Sequence, residues 1–166
     1  AGSIQYGSIN NCYTTGNIAG FQDAGGISGR VGSKSTIRNC AALNEKIIAP
    51  AGIGRIGVSS DYTGTDAFSN NIAFSGMKVV LDGTEQAISD GAADNKNGTD
   101  LTSAALFGGS IWSASGNWGS GSTWGTDTIW TVEDGKLPIL AGLPGQSGAP
   151  GLYLLNFSTD ELTVTL

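Results

Sequence analysis

The chain contains no histidine. A Ser-His-Asp triad, a Cys-His dyad and every histidine-ligated metal centre are therefore excluded before any motif is sought. Charge is scarce too. Asp, Glu, Lys and Arg make up 13% of the residues, against about a quarter in an average soluble domain, a poor match to a solvated helical bundle. Four prolines in 166 residues argue against collagen and against a proline-rich linker. No run approaches the roughly 18 apolar residues of a membrane-crossing helix, and residues 1–9 lack the basic start and apolar stretch of a signal peptide, so a mature or trimmed piece is expected. Basic residues are outnumbered 8 to 14 and the net charge is −6, which repels phosphate backbones and anionic headgroups. Neither nucleic acid nor membrane insertion is expected.

What the chain has in plenty is glycine, 27 residues spread along its length. Each would cost a helix about 1 kcal/mol relative to alanine, while a hydrophobic content of 39% is too high for wholesale disorder. A β-rich, turn-rich globule follows.

The chain also repeats itself. Ile9-Asn10-Asn11-Cys12-Tyr13 is matched by Ile37-Arg38-Asn39-Cys40-Ala41, and Asn70-Asn71-Ile72-Ala73 is a looser third copy without the cysteine, a slightly longer step farther on. A second element, Gly29-Arg30-Val31-Gly32, recurs after a shorter step as Gly54-Arg55-Ile56-Gly57. The repeat unit is thus roughly 25 to 31 residues, within the range of stacked-repeat architectures. Such units, with short apolar clusters such as Ile27, Val31, Ile37 and Ile47-Ile48 separated by Gly, Ser, Asn and Thr, cannot close a core alone. They must stack. Equivalent positions then form ladders, with asparagine at the corners, where it tolerates left-handed backbone and satisfies neighbouring polar groups.

Gly25-Gly26-Ile27-Ser28-Gly29, then Thr36-Ile37-Arg38-Asn39-Cys40-Ala41-Ala42, together with Asn11-Cys12-Tyr13-Thr14 in the first unit, resembles the GLUG repeat of bacterial surface proteins. The resemblance covers about residues 1–80. It implies a non-catalytic stretch of a secreted or surface-anchored protein, with no catalytic residues to carry over. The sequence departs from the family pattern at Arg30 and Arg55, where an aromatic is frequent, and at Asn71, where the cysteine is lost.

The expected architecture is an all-β, short right-handed β-solenoid (parallel β-helix-like) of about three turns over residues 1–80. Residues 81–141 are read as an irregular, Trp-rich C-terminal cap with at most one short helix, near 100–107. Residues 142–166 form a Gly/Pro linker and a strand-like tail. Trp112, Trp118, Trp124 and Trp130 follow one another at even intervals, enough ring area to cover an open solenoid end.

Candidate chemistry is thin. Ser75-Gly76-Met77-Lys78 imitates a Ser-x-x-Lys nucleophile, with Ser89-Asp90-Gly91 as a second box, but Lys78 opens a strand-like run rather than following one helical turn after Ser75. Gly32-Ser33-Lys34-Ser35 falls short of a phosphate loop because no helix follows. Asp90, Asp94, Asn95, Asn97 and Asp100 offer hard oxygen ligands without the register of a calcium loop, and read as a solvated loop. Glu133-Asp134 and Asp160-Glu161 diverge on an extended chain. Asn97-Gly98-Thr99 and Asn156-Phe157-Ser158 fit the glycosylation pattern, which the bacterial origin implied by the resemblance would make irrelevant. Cys12 and Cys40 share a repeat position, so stacking allows either a free pair or a disulfide; no basic neighbour is available to make either a reactive thiolate.

The function expected is a structural or adhesive module of the bacterial surface or extracellular space, its partner a protein or glycan on a host or matrix surface. It would be no enzyme and need no cofactor or metal. The alternative is a carbohydrate-binding module that stacks sugars on Trp118 and Trp124. A polysaccharide lyase or hydrolase ranks last, because the repeats hold only Asp23, Glu45, Asp61 and Asp66, widely spaced.

Overall fold

The computed structural model describes residues 2–59, 67–107, 111–112, 129–133 and 135–149. It is a β-solenoid of about three turns, with 40% of the described residues in strands and 4% in helix. The first coil carries β1 (Ser3–Ile4), β2 (Ser8–Asn10), β3 (Tyr13–Thr14) and β4 (Ile18–Ala19). The second carries β5 (Asp23–Gly25), β6 (Ser28–Val31), β7 (Thr36–Arg38), β8 (Ala41–Ala42) and β9 (Lys46–Ala49). The third carries β10 (Gly52–Gly54), β11 (Gly57–Ser59), β12 (Phe68–Ser69), β13 (Ile72–Phe74) and β14 (Lys78–Leu81). Strands stack coil on coil as β1-β6-β11, β5-β10, β2-β7-β12, β3-β8-β13 and β4-β9-β14, every ladder parallel.

Apolar residues line up in columns because of this register. Ile9, Ile37 and Phe68 form one, and Ile18, Ile47 and Val79 another. Ile37 and Ile47 have a coil on either side and are wholly buried, whereas Ile9 and Ile18 are only partly covered. Full burial of one such side chain contributes about 1.5–3 kcal/mol, so the second coil anchors the stack. Between β2 and β3, and at the equivalent corners above, the chain turns through Asn11, Asn39 and Asn70, each with φ of 53°. Asparagine is the side chain that enters this left-handed region most readily after glycine, so the expected asparagine ladder is present.

The second repeat element is aligned differently from the sequence expectation. Gly54 stacks on Gly25, and the amides of Gly26 and Ile27 donate to the carbonyls of Arg55 and Ile56 at 2.9 Å each. The counterpart of Arg55 is therefore Gly26, while Arg30 faces Val58. The ladders on either side pair Ser3 with Arg30 and Ile47 with Val79, steps along the chain longer than the one from Arg30 to Arg55, so the two arginines cannot share a row. Gly26 admits no side chain: a Cβ there would sit 2.5 Å from the Arg55 carbonyl oxygen and 2.6 Å from the Ala42 Cβ.

The stack does not stop at residue 80. After β14 the two-residue turn Asp82-Gly83, both at positive φ, leads into antiparallel β15 (Thr84–Glu85). The chain then crosses the top of the third coil, and β16 (Thr99–Leu101) lies parallel on β13, with Thr99 opposite Ile72. Helix α1 (Ser103–Phe107) follows, its Ala105 amide capped by the Thr102 hydroxyl at 3.1 Å. Residues 90–101 thus close the third coil. Farther on, β17 (Trp130–Thr131) and β18 (Ile139–Leu140) form an antiparallel pair. The described tryptophans of this region reach the first coil: the Tyr13 ring centroid lies 6.2 Å from that of Trp112 and 5.9 Å from that of Trp130, and the Tyr13 hydroxyl donates to the Pro138 carbonyl at 2.8 Å. Among the described residues no helix is long and apolar enough to cross a membrane.

Candidate functional sites

Cys12 and Cys40 follow the asparagines of the first two corners. Asn10 pairs with Arg38 before them and Tyr13 with Ala41 after them, which places Cys12 directly beneath Cys40. The backbone repeats as well: the Cys12 carbonyl accepts from Ala41 and the Cys40 carbonyl from Ile72, both at 2.9 Å. Each sulfur contacts the carbonyl two residues before it, Cys12 Sγ to Asn10 at 3.2 Å and Cys40 Sγ to Arg38 at 3.1 Å. Both are free thiols, Cys12 exposed and Cys40 buried. The stacked Cys40 thiol lowers the Cys12 thiol to a pKa of about 7, whereas the Cys12 sulfur beside it, together with burial, pushes the Cys40 thiol up. The sequence offered no basic neighbour to make a thiolate at Cys12; what favours one is the stacked Cys40 thiol.

In the third row Asn71 stands where the cysteines stood. Its Oδ1 accepts from the Cys40 amide at 3.0 Å and its Nδ2 donates to the Ile37 carbonyl at 2.9 Å. The departure from the repeat pattern therefore ties the third coil to the second. Asn44 does the same between the second and first coils, with Nδ2 on the Gly16 carbonyl and Oδ1 accepting from the Thr14 hydroxyl at 3.0 Å.

At the other end of the solenoid the Arg55 side chain is 2% exposed. Its Nε donates to the Asn97 carbonyl at 2.9 Å, and its Nη2 to the Gly98 carbonyl at 3.0 Å and to Asp100 Oδ1 at 2.6 Å. Asn97 is buried in turn, with Nδ2 on Asp90 Oδ1 at 2.7 Å and its own amide on Asn95 Oδ1 at 2.7 Å. The segment expected as a solvated loop is thus a strap, fastened to Arg55 through the Asn97 and Gly98 carbonyls and the Asp100 carboxylate. Among the described residues no group of three or more Cys, Asp and Glu is placed to hold a metal. Beside the strap lies a cleft of about 490 Å³ whose walls include Ile53, Val58, Leu81, Ile88, Asp90 and Lys96. Its Lys96 ammonium is bonded to the Ile53 carbonyl at 3.2 Å.

The remaining sequence candidates are dispersed. Ser75 sits in the turn before β14 and Lys78 opens that strand, both exposed. The turn at Gly32-Ser33-Lys34-Ser35 leads into β7 rather than a helix. The Asn97 amide nitrogen is buried and committed to Asp90, which removes the first glycosylation pattern. Asp23 lies 3.9 Å from Arg30, Glu45 accepts from Asn17 at 3.4 Å, and Glu133 pairs with Lys136 at 2.6 Å. Trp118 and Trp124, Asp61 and Asp66, Asp134, Asp160-Glu161 and Asn156 lie outside the described residues. Sequence reasoning missed Asn44 altogether and named Arg55 and Asn97 without their part in holding the strap. The signal for Arg55 was its isolation, one charge in the glycine and aliphatic run 51–58. No family model, no curated protein and no solved structure matches the chain.

Proposed function

We propose that this chain is a non-catalytic structural or adhesive module of a secreted or cell-surface bacterial protein, built of GLUG-like coils and meeting a protein or glycan on a host or matrix surface. The observation that carries the reading is the way its distinctive side chains are used. Asn11, Asn39 and Asn70 make corners, Asn44 and Asn71 stitch coils together, and Arg55 locks the strap, so the residues that recur or stand out are engaged in holding coil to coil. Such a stack is a stiff body with flat faces, suited to spacing or display. The low charge and the resemblance of the Asn11-Cys12-Tyr13 and Asn39-Cys40-Ala41 corners to surface-protein repeats support the same reading.

The test is a screen of the chain against a glycan array and a panel of matrix proteins, with polysaccharide turnover followed in parallel. Binding retained in the Trp118→Ala, Trp124→Ala double variant, with no turnover, is the expected result. Sugar binding lost in that variant would assign a carbohydrate-binding module instead. Turnover abolished by Asp61→Asn or Asp66→Asn would make the protein an enzyme and end the proposal.

A further inference from the structure

The stacked thiols sit at the end of the solenoid that residues 90–101 do not close. There β1, β2, β3 and β4 are edge strands, each paired in its ladder with the second coil alone among the described residues, and Ile4, Ile9 and Ile18 are only partly covered. We propose that Cys12 and Cys40 are an oxidisable pair: Cys12 attacks a small-molecule disulfide, Cys40 resolves the adduct, and the resulting Cys12–Cys40 disulfide clamps the first coil to the second.

The geometry divides the two roles. Register places the cysteines on adjacent parallel rows, a separation of about 4.8 Å between backbones, within the roughly 4.4–6.8 Å that a disulfide spans. Each sulfur lies against the carbonyl two residues earlier, so both side chains point the same way. Cys12 is exposed and meets reagents; Cys40, 0% exposed, reaches only what is already attached to Cys12. The adjacent Cys40 thiol favours the Cys12 thiolate and gives it a substantial fraction at neutral pH. The sulfur column ends there, because Asn71 occupies the third row and its Oδ1 holds the Cys40 amide at 3.0 Å.

The chemistry balances with a disulfide R–S–S–R as the oxidant. The Cys12 thiolate forms a bond to one sulfur, and the first R–S⁻ leaves and takes up the Cys40 proton. The Cys40 thiolate then attacks the Cys12 sulfur and expels the second R–S⁻, which takes up the proton Cys12 gave to solvent when it ionised. The chain loses two electrons and the small disulfide becomes two thiols. The new bond crosslinks residues 12 and 40, one coil apart, and so restrains the edge coil in the unfolded chain.

The experiment treats the reduced chain with oxidised glutathione and follows intact mass, peptide map and melting temperature. The expected product has lost two hydrogens, carries no glutathione, contains the Cys12–Cys40 peptide pair and melts several degrees higher than the reduced form. A lasting glutathione adduct on the wild-type chain, survival of both thiols, disulfides between chains, or an unchanged melting temperature would overturn the proposal. Two further readouts separate reactivity from packing. In the reduced wild-type chain iodoacetamide labels Cys12 alone, at a rate rising about tenfold from pH 6 to pH 8; equal labelling of both cysteines sinks the assignment without needing a variant. In Cys40→Ala the labelling midpoint moves to higher pH and glutathione stays on Cys12; an unmoved midpoint means that Cys40 does not activate it.

Discussion

Arg55 and Asp100 meet at 2.6 Å across the seam between the third coil and the strap above it, but unequally: the Arg55 side chain is 2% exposed and that of Asp100 is 58% exposed. Solvent screens the aspartate, whereas the guanidinium depends on the Asn97 and Gly98 carbonyls for the rest of its bonding. Arg55→Met keeps the stem and strands those two buried carbonyls, at about 1–3 kcal/mol for each. Asp100→Asn leaves a polar group in water and costs about 1 kcal/mol or less. Urea unfolding of the two variants checks the ranking; equal midpoints would show that the exposed ion pair, not the buried carbonyl bonds, holds the strap.

Asn71 satisfies two backbone groups of the coil below it, the Cys40 amide and the Ile37 carbonyl. Asn71→Ala takes the side-chain acceptor from the buried Cys40 amide, at about 1–3 kcal/mol, and one of the donors from the Ile37 carbonyl. Asn71→Asp keeps the acceptor and loses the donor, so it is expected to be destabilised for the Ile37 carbonyl while the Cys40 amide remains bonded. Native-state hydrogen exchange reads this directly. The Cys40 amide should exchange faster in the alanine variant and stay protected in the aspartate variant.

Asn39 holds φ at 53° in the central row. A β-branched residue there must adopt the left-handed region, which costs about 1–2 kcal/mol, while glycine adopts it freely. Thermal unfolding should therefore rank Asn39→Gly close to the wild type and Asn39→Val well below it. A valine variant as stable as the wild type would mean that the corner relaxes to another backbone conformation.

These positions also show what the residues disclosed in advance. A left-handed corner selects asparagine, and an inward column selects isoleucine, so Asn11, Asn39, Ile9 and Ile37 announced the coil length and the stacking. Arg55 was not legible in the same way, because its partners are backbone carbonyls in a distant segment, at Asn97 and Gly98, which leave no mark on residue type. The Gly-Arg-aliphatic-Gly similarity misled for a related reason: glycine beside an aliphatic suits any tight corner, and only the ladder distinguishes Gly26 from Arg30 as the counterpart of Arg55. Cys12 lacked a basic neighbour along the chain, yet the thiol that favours its thiolate arrives from one coil above.

Tyr13 joins the first coil to the C-terminal region, through rings on Trp112 and Trp130 and a hydroxyl on the Pro138 carbonyl. Aromatic pairs of this kind contribute about 0.5–1.5 kcal/mol each beyond the area they bury, and the hydroxyl bond about as much. Tyr13→Phe removes only the hydroxyl bond and should leave the segment docked. Tyr13→Ala removes all three contacts, and residues 129–149 should then separate from the solenoid while its ladders persist. Trypsin provides the readout at Lys136, between β17 and β18 and 55% exposed at its side chain. Cleavage there is expected to accelerate severalfold in the alanine variant and little in the phenylalanine variant, with no new cuts at Lys46 or Arg55. Equal cleavage of all three proteins would mean that the segment is held by contacts other than those made by Tyr13.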